Sequence, residues 1–345
     1  PITSGAFVYD LDFGGQADNN NNFYLVTDGL SPDGSLYQAA SYLFATSFAD
    51  LPGLLQRQAG RLPVGSGPGT AGEAGNPLDR LTGAWAQIDG TLDRVEADNS
   101  DHYSTDRWSL KAGYDAEMDL ALPGRLIVGG YVQYAGASST VDSKYGARSM
   151  TSQAIGGGAT ATYYAEGGSY ADLQGRLMGV RSDLAQKSGL ISTAAAASVE
   201  IGHVVALGEA SSLIPSAQLQ YGNVAAPSFT DDNGIAVSDF GDTRTTGRLG
   251  LALQTPLAVT PETGPLITAS LDYIRDFSPD IGVTVDDVHV STDVPQNWVE
   301  AGLGIDWQLG EDALLELRAS YATALGEDLA HNSSLDASAN FRLGF

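Results

Sequence analysis

Four histidines, a surplus of carboxylates and a few arginines are the groups in this chain that could do chemistry. His102, His203, His289 and His331 stand far apart, without the His-Glu-x-x-His or other paired spacing that gathers a metal ion. No Gly-x-Ser-x-Gly turn presents a serine nucleophile, and Gly241-Asp-Thr-Arg244 has only a superficial likeness to a hydrolase box. The chain has no cysteine, so disulfides and thiolate metal sites are excluded. Acidic pairs at Asp231 and Asp232, Asp239 and Asp242, and Asp286 and Asp287 fit no EF-hand loop and read as solvated loops. The expectation is a protein with no catalytic set, no metal and no cofactor.

Charge and hydropathy narrow the class further. Lys and Arg number 17 against 42 Asp and Glu, a formal net charge of -25. A chain so poor in cations cannot neutralise phosphates, which excludes nucleic acid as a partner. No apolar run approaches the ~20 residues of a membrane helix. A membrane β-barrel stays open, since its strands are amphipathic segments of about ten residues.

The elements that would carry these side chains are strands. In Leu335-Asp-Ala-Ser-Ala-Asn-Phe-Arg-Leu-Gly-Phe345 the apolar residues share one face and the polar ones the other. The same period runs through Trp108, Leu110, Ala112, Tyr114, Ala116, Met118 and Leu120, interleaved with Arg107, Ser109, Lys111, Asp115 and Glu117. It recurs in Val299 to Leu309, Leu315 to Tyr321 and Leu213 to Tyr221. Links alternate in length. Leu122-Pro-Gly-Arg125, Glu166-Gly-Gly-Ser169, Gly208-Glu-Ala-Ser211 and Gly310-Glu-Asp-Ala313 are tight. Glu96 to Thr105, Asp142 to Ser149, Ala225 to Asp242 and Ser278 to Gln296 are long and polar. Outer-membrane barrels put short turns inside and long loops outside, with an even strand number; here the count is roughly twelve. The expected fold is therefore an all-β membrane protein, an antiparallel transmembrane β-barrel over 81–345. Within it, Thr245 to Gln254 reads as a short strand followed by a long inner link. Trp307, Tyr134, Tyr163, Tyr221 and Phe277 stand where an interfacial girdle or plain strand packing would place them.

Upstream the pattern changes. Residues 64–80 form a Gly-rich linker, and 31–63 lack strand alternation and read as largely helical. The clearest helical stripe lies within about Phe48 to Arg61, from Leu51, Leu54, Leu55 and Ala59, with Pro52 in a first turn. Residues 1–30 hold two short strands, Ala6 to Leu11 and Asn22 to Thr27, around a Gly/Asn-rich turn. The chain opens in mid-pattern, which suggests a fragment of a longer precursor.

This order of parts resembles the C-terminal region of the monomeric (type Va) autotransporters, the type V secretion system of Gram-negative outer membranes. Tyr9-Asp-Leu and Phe23-Tyr-Leu-Val look like the end of a passenger β-helix. Leu36-Tyr-Gln, Ser41-Tyr-Leu-Phe and Leu54-Leu-Gln-Arg-Gln-Ala-Gly-Arg61 look like the linker helix of pertactin-like members, and Gly83-Ala-Trp-Ala-Gln-Ile-Asp-Gly90 like their first barrel strand. Phe341, Leu343 and Phe345 match the terminal signal read by the barrel-assembly machinery. The resemblance implies a helix threading the lumen and a non-enzymatic translocator that secretes or displays its own passenger. Its implied partners are that passenger, the assembly machinery, periplasmic chaperones, outer-membrane lipid and lipopolysaccharide, with the chain acting as a monomer. In such a lumen Arg57 and Arg61 could pair with Asp115, Glu117, Glu300, Asp306 or Glu316, or those acids could simply hydrate the bore. The linker has no Asn-Asn pair, so release by the self-cleavage some members use is not expected. A stand-alone porin or adhesin barrel, and an outer-membrane hydrolase, are the alternative readings.

Overall fold

The computed structural model describes residues 1–13, 23–58, 82–119, 123–208, 210–257, 265–309, 313–326 and 332–344. Three strands open the chain: β1 (Ile2–Ser4), β2 (Phe7–Phe13) and β3 (Phe23–Leu30) form a small antiparallel sheet. Two helices follow, α1 (Pro32–Phe48) and α2 (Leu54–Gln58). The next run is β4 (Gly83–Glu96), β5 (His102–Met118), β6 (Arg125–Ser143), β7 (Gly146–Tyr164), β8 (Ser169–Leu184) and β9 (Lys187–His203). Then come β10 (Val205–Leu207), β11 (Ser211–Ala225), β12 (Phe229–Thr230), β13 (Ala236–Ser238) and β14 (Gly241–Pro256). The chain ends with β15 (Leu266–Asp276), β16 (Asp280–Val285), β17 (Val288–Asp293), β18 (Asn297–Gln308), β19 (Ala313–Ala324) and β20 (Ser333–Leu343).

Twelve of these strands close on themselves. The antiparallel order runs β4-β5-β6-β7-β8-β9-β11-β14-β15-β18-β19-β20 and returns to β4, with β10 a short extension beside β11. At the seam Ser333 pairs with Arg94 and Leu343 with Ala84, an unbroken register along both strands. Closure removes the edges and pairs every backbone group within the ladder, the condition for crossing hydrocarbon.

Side chains sort by face as the alternation requires. Ile155, Val132, Leu303, Leu249 and Leu177 project outward, while Asp172, Arg342, Asp115 and Glu316 are buried inside. The rule inverts near the outer rim of β6 to β9. There the inward residues are Ala135, Ala137, Val141, Met150, Met178, Val180 and Leu184, whereas Ser138, Asp142, Gln153, Arg181 and Asp183 face out. Strands of 16 to 19 residues are longer than the ~10 that hydrocarbon needs, so their upper ends stand in water and bury apolar groups within.

That apolar upper bore holds α1. Ser31 caps the helix, its Oγ accepting from the Gly34 N–H at 3.2 Å, and Pro32 opens the first turn. Leu36, Tyr37, Ala40, Leu43, Phe44 and Phe48 are all buried in one cluster with the upper wall and the outer loops. Those loops are not open coils. β12, β13, β16 and β17 make a four-stranded sheet whose Val237, Ile281, Val283 and Val285, with Ile235 and Phe240 flanking β13, cover the helix.

Several expectations change. The main described helix is α1, upstream of the Phe48 to Arg61 stripe, of which Leu54–Gln58 is the helical part described. A helix wrapped by protein on all sides shows no stripe, which is why its pattern gave little signal. Pro52 lies in the break before α2, and a proline disfavours helical backbone at the residue before it. The polar stretch from Asp142 to Ser149 is a two-residue hairpin continuing β6 into β7, and β14 is a full-length strand. Leu81, the 64–80 linker, the turn after β2 and most of the link after β14 lie outside the described residues.

Three inward glycines, Gly113, Gly158 and Gly202, make room for the rings of Trp85, Tyr131 and Tyr170 across the barrel wall. A Cβ on Gly113 would stand 2.5 Å from the Trp85 ring and 2.8 Å from the Gly130 carbonyl oxygen. Gly113→Val is expected to cost about 1–3 kcal/mol from overpacking and to lower the folded fraction. Gly175→Ala, with nothing within 4 Å, should be silent. Heat-modifiable electrophoretic mobility of outer-membrane fractions measures both; equal mobility profiles for the two variants would contradict the packing argument.

Candidate functional site

The lower bore is where charge collects, and the linker sits in it. Beneath α1 the chain turns through Ala49 to Gly53 and enters α2. Leu54 packs there against Ile127, Tyr164, Tyr170, Val204, Ile214 and Ala252. Asp50 and Pro52 lie between the two helices, so backbone groups that a continuous helix would pair are left to the wall.

The wall supplies those partners. Arg107 on β5 donates to the Thr46 carbonyl, and Arg176 on β8 donates to the carbonyls of Phe48 (2.9 Å) and Asp50 (2.6 Å). The last turn of α1 carries no basic residue of its own, so these wall arginines meet the negative end of its dipole. Gln174 and Gln218 donate to the Pro52 carbonyl at 2.8 and 3.3 Å. In the other direction, the N–H groups of Leu51 and Leu54 donate to Gln220 Oε1 and Glu200 Oε2, both at 2.8 Å.

Ion pairs complete the seat. Arg57 Nη2 lies 2.6 Å from Asp172 Oδ1, and both side chains are almost fully buried. Asp172 also accepts from Thr162. Arg342, 2% exposed and pointing inward from β20, meets Asp115 on β5 at 2.9 Å, reaching across β4 at the closing seam. Gln58 Nε2 approaches the same Asp115 oxygen at 3.5 Å. Glu300 accepts from Gln56 of α2 and from Arg248.

Of the acids named from the sequence, Asp115 and Glu300 thus meet the linker through Gln58 and Gln56. Glu117 pairs with Arg125 across the β5–β6 hairpin, Asp306 with Arg318, and Glu316 with Asn340 and Arg318. Among the described residues these three bond to wall side chains and not to the helix; Arg61 lies outside them. The partner of Arg57 is Asp172, which sequence reasoning missed along with Glu200, Gln174, Arg176, Gln218 and Gln220. Their signal was present as inward parity: Asp172, Gln174 and Arg176 alternate with Leu173, Gly175 and Leu177 on β8. Phe341 and Leu343 project outward from β20, and Phe345 lies outside the described residues.

At the outer end three contacts hold the start of α1: Tyr37 to Asp231 (2.7 Å), Arg148 to Asp33 (2.6 Å) and Asn99 to Gln38 (3.1 Å). Burial, then the Asp231 carboxylate, pushes the Tyr37 hydroxyl above the ordinary tyrosine range, so it stays a donor at neutral pH. Among the described residues the histidines gather no catalytic set. Ser169 Oγ and His203 Nδ1 lie 2.9 Å apart because they are direct cross-strand partners on exposed strand ends. His102 and His289 sit on different strands at the outer rim, and His331 lies outside the described residues. Among the described residues no group of three His, Asp or Glu could hold a metal ion.

Removing Asp172 would strand a buried guanidinium. Asp172→Ala is expected to cost about 3–5 kcal/mol, and adding Arg57→Met should recover most of that loss. Protease protection of the linker in detergent micelles reports the seating. Equal loss in the single and double variants would show that the pair is not coupled.

The Autotransporter beta-domain family matches residues 84–321. Among curated proteins, the Adhesin BmaC autotransporter of Brucella suis biovar 1 (strain 1330) is 31% identical over 284 residues, 73% of this chain and 8% of that protein. The chain therefore spans about 8% of the length of the curated relative it matches. Among solved structures, the transport unit of the autotransporter AIDA-I from Escherichia coli matches with a TM-score of 0.66 at 15% identity, covering 91% of this chain and 99% of that one. The beta domain of the Bordetella autotransporter BrkA follows with 0.59 at 22% identity, covering 76% and 99%. The translocator domain of NalP from Neisseria meningitidis gives 0.57 at 14% identity, covering 76% and 89%. These likenesses carry the fold, and the family match carries the assignment: a closed twelve-stranded barrel of the Gram-negative outer membrane, this chain belongs to the autotransporter β-domain family.

Proposed function

We propose that the barrel is the route by which this chain's own N-terminal passenger crosses the outer membrane, and that it acts without catalysis of its own. The observation that carries this is the path of the chain. β1 to β3 lie at the outer rim, where Asp28 meets Lys144 at the tip of the β6–β7 hairpin. α1 then descends the bore, and Gln58 reaches Asp115 near the inner end of β5. A chain laid out this way has passed through its own barrel.

Each step then has a physical basis. Barrel assembly by the outer-membrane machinery, with chaperones holding the unfolded chain in the periplasm, provides a pore whose lower part is polar. Folding of the passenger outside biases the crossing outward, and seating of α1 beneath the β12-β13-β16-β17 sheet closes the pore. Lipid meets the apolar band, and lipopolysaccharide the outer rim. Phe341, Leu343 and Phe345 are the terminal residues that the assembly machinery reads. The passenger remains joined to the barrel unless another enzyme cuts it.

The test is surface display. A folded reporter fused ahead of Pro1 should become accessible to protease on intact cells; a reporter retained in the periplasm by a correctly assembled barrel would overturn the reading. Deleting residues 34–63 should convert a closed barrel into a large, stable conductance in planar bilayers. Unchanged conductance would count against the plug and favour a stand-alone porin. Removing Phe345 should lower outer-membrane levels severalfold, and normal levels would refute its role as a signal.

A further inference from the structure

The wall of β8, β9 and β11 holds the linker by its main chain. Strand register sets the inward residues in rows: Gln174, Ser198 and Gln220 lie opposite one another, and one step higher so do Arg176, Ala196 and Gly222. From the lower row Gln174 and Gln220 reach the Pro52 and Ala49 carbonyls and the Leu51 N–H; Arg176 reaches the Phe48 and Asp50 carbonyls. The small residues let the backbone approach. A Cβ on Gly222 would stand 2.6 Å from the Ala49 carbonyl oxygen. Asp50 adds one side-chain bond, its Oδ1 accepting from Gln220 at 2.8 Å; the other bonds named here are to peptide groups.

Peptide carbonyls and N–H groups are common to every sequence, so a surface that binds them discriminates little among side chains. A chain threading a narrow bore loses water from those groups and costs free energy unless partners replace it. Individual bonds of this kind contribute little once the water they displace is counted, so occupants exchange readily.

We propose that the lumenal face of β8, β9 and β11 is a sequence-independent binding site for non-helical polypeptide backbone. Passenger segments occupy it in transit, and the non-helical residues 49–53 occupy it last. Glutamines suit this role because each both donates and accepts, and so pairs with a chain in either direction. Arg176, forked between two carbonyls, sets the height at which the final occupant stops. This inference rests on the reading that the passenger crosses this lumen.

The experiment uses the full chain with a reporter passenger and a photo-crosslinking residue at position 174. In pulse-chase, early crosslinks should fall on several passenger segments of unrelated sequence, then shift to residues 49–53 as the reporter reaches the surface. Gln174→Ala combined with Gln218→Ala and Gln220→Ala should slow surface arrival roughly threefold or more, with normal heat-modifiable mobility. Crosslinks confined to the linker at every time, in cells that display the reporter, would overturn the site and leave the translocation reading standing. Crosslinks to one passenger sequence alone would overturn its sequence independence. Passenger crosslinks with no slowing in the assembled triple variant would overturn the role of the glutamines. An assembled barrel that never displays the reporter would overturn the translocation reading and this inference with it.

Discussion

Backbone groups facing hydrocarbon have no water to turn to, so each N–H and C=O must find a partner inside the protein. The pairing of β20 with β4 is where this chain meets that demand, because it converts a sheet with two open edges into a barrel with none. Arg342 and Asp115 join β20 to β5 behind that seam, and neither is left as a lone buried charge. The lipid-facing band and the lumen are consequences of this closure.

The bore divides into two chemistries at different heights. Its lower part is polar and charged, with Arg57 against Asp172 and arginines against carbonyls. Its upper part is apolar and behaves like the interior of a soluble protein, with α1 as the central element and the outer-loop sheet as its lid. The change follows the solvent outside. Where lipid surrounds the wall, apolar groups face out; where water does, they face in.

α1 and the barrel therefore complete each other. The helix brings a surface buried on all sides, with Leu36, Leu43, Phe44 and Phe48 in the core, and no cation at its C-terminal turn; the barrel brings an apolar upper wall and arginines at the matching depth. A continuous helix would have no free carbonyls for those arginines, so the break around Pro52 is what makes the backbone available. Family membership and this mutual fit point to a barrel that carries its own chain across and then closes on what remains.

Much of this was legible in the sequence, because a strand between two solvents writes its environment into a period of two. Trp108 to Leu120 and Leu335 to Phe345 carry their faces openly, and the even count and alternating links gave closure. The charged partners were not legible. Asp172 and Arg57 are 115 residues apart, and no local pattern distinguishes Asp172 from the acids that bind other wall side chains instead. Nor could the sequence reveal α1 as the principal helix: the Tyr37 partner, Asp231, comes from a loop 194 residues away, and a helix buried on every side has no stripe to read. The sequence by itself determined which residues face in and which face out, since that depends on alternation alone. Which inward groups meet was decided by barrel closure and strand register, which bring residues distant along the chain to the same depth.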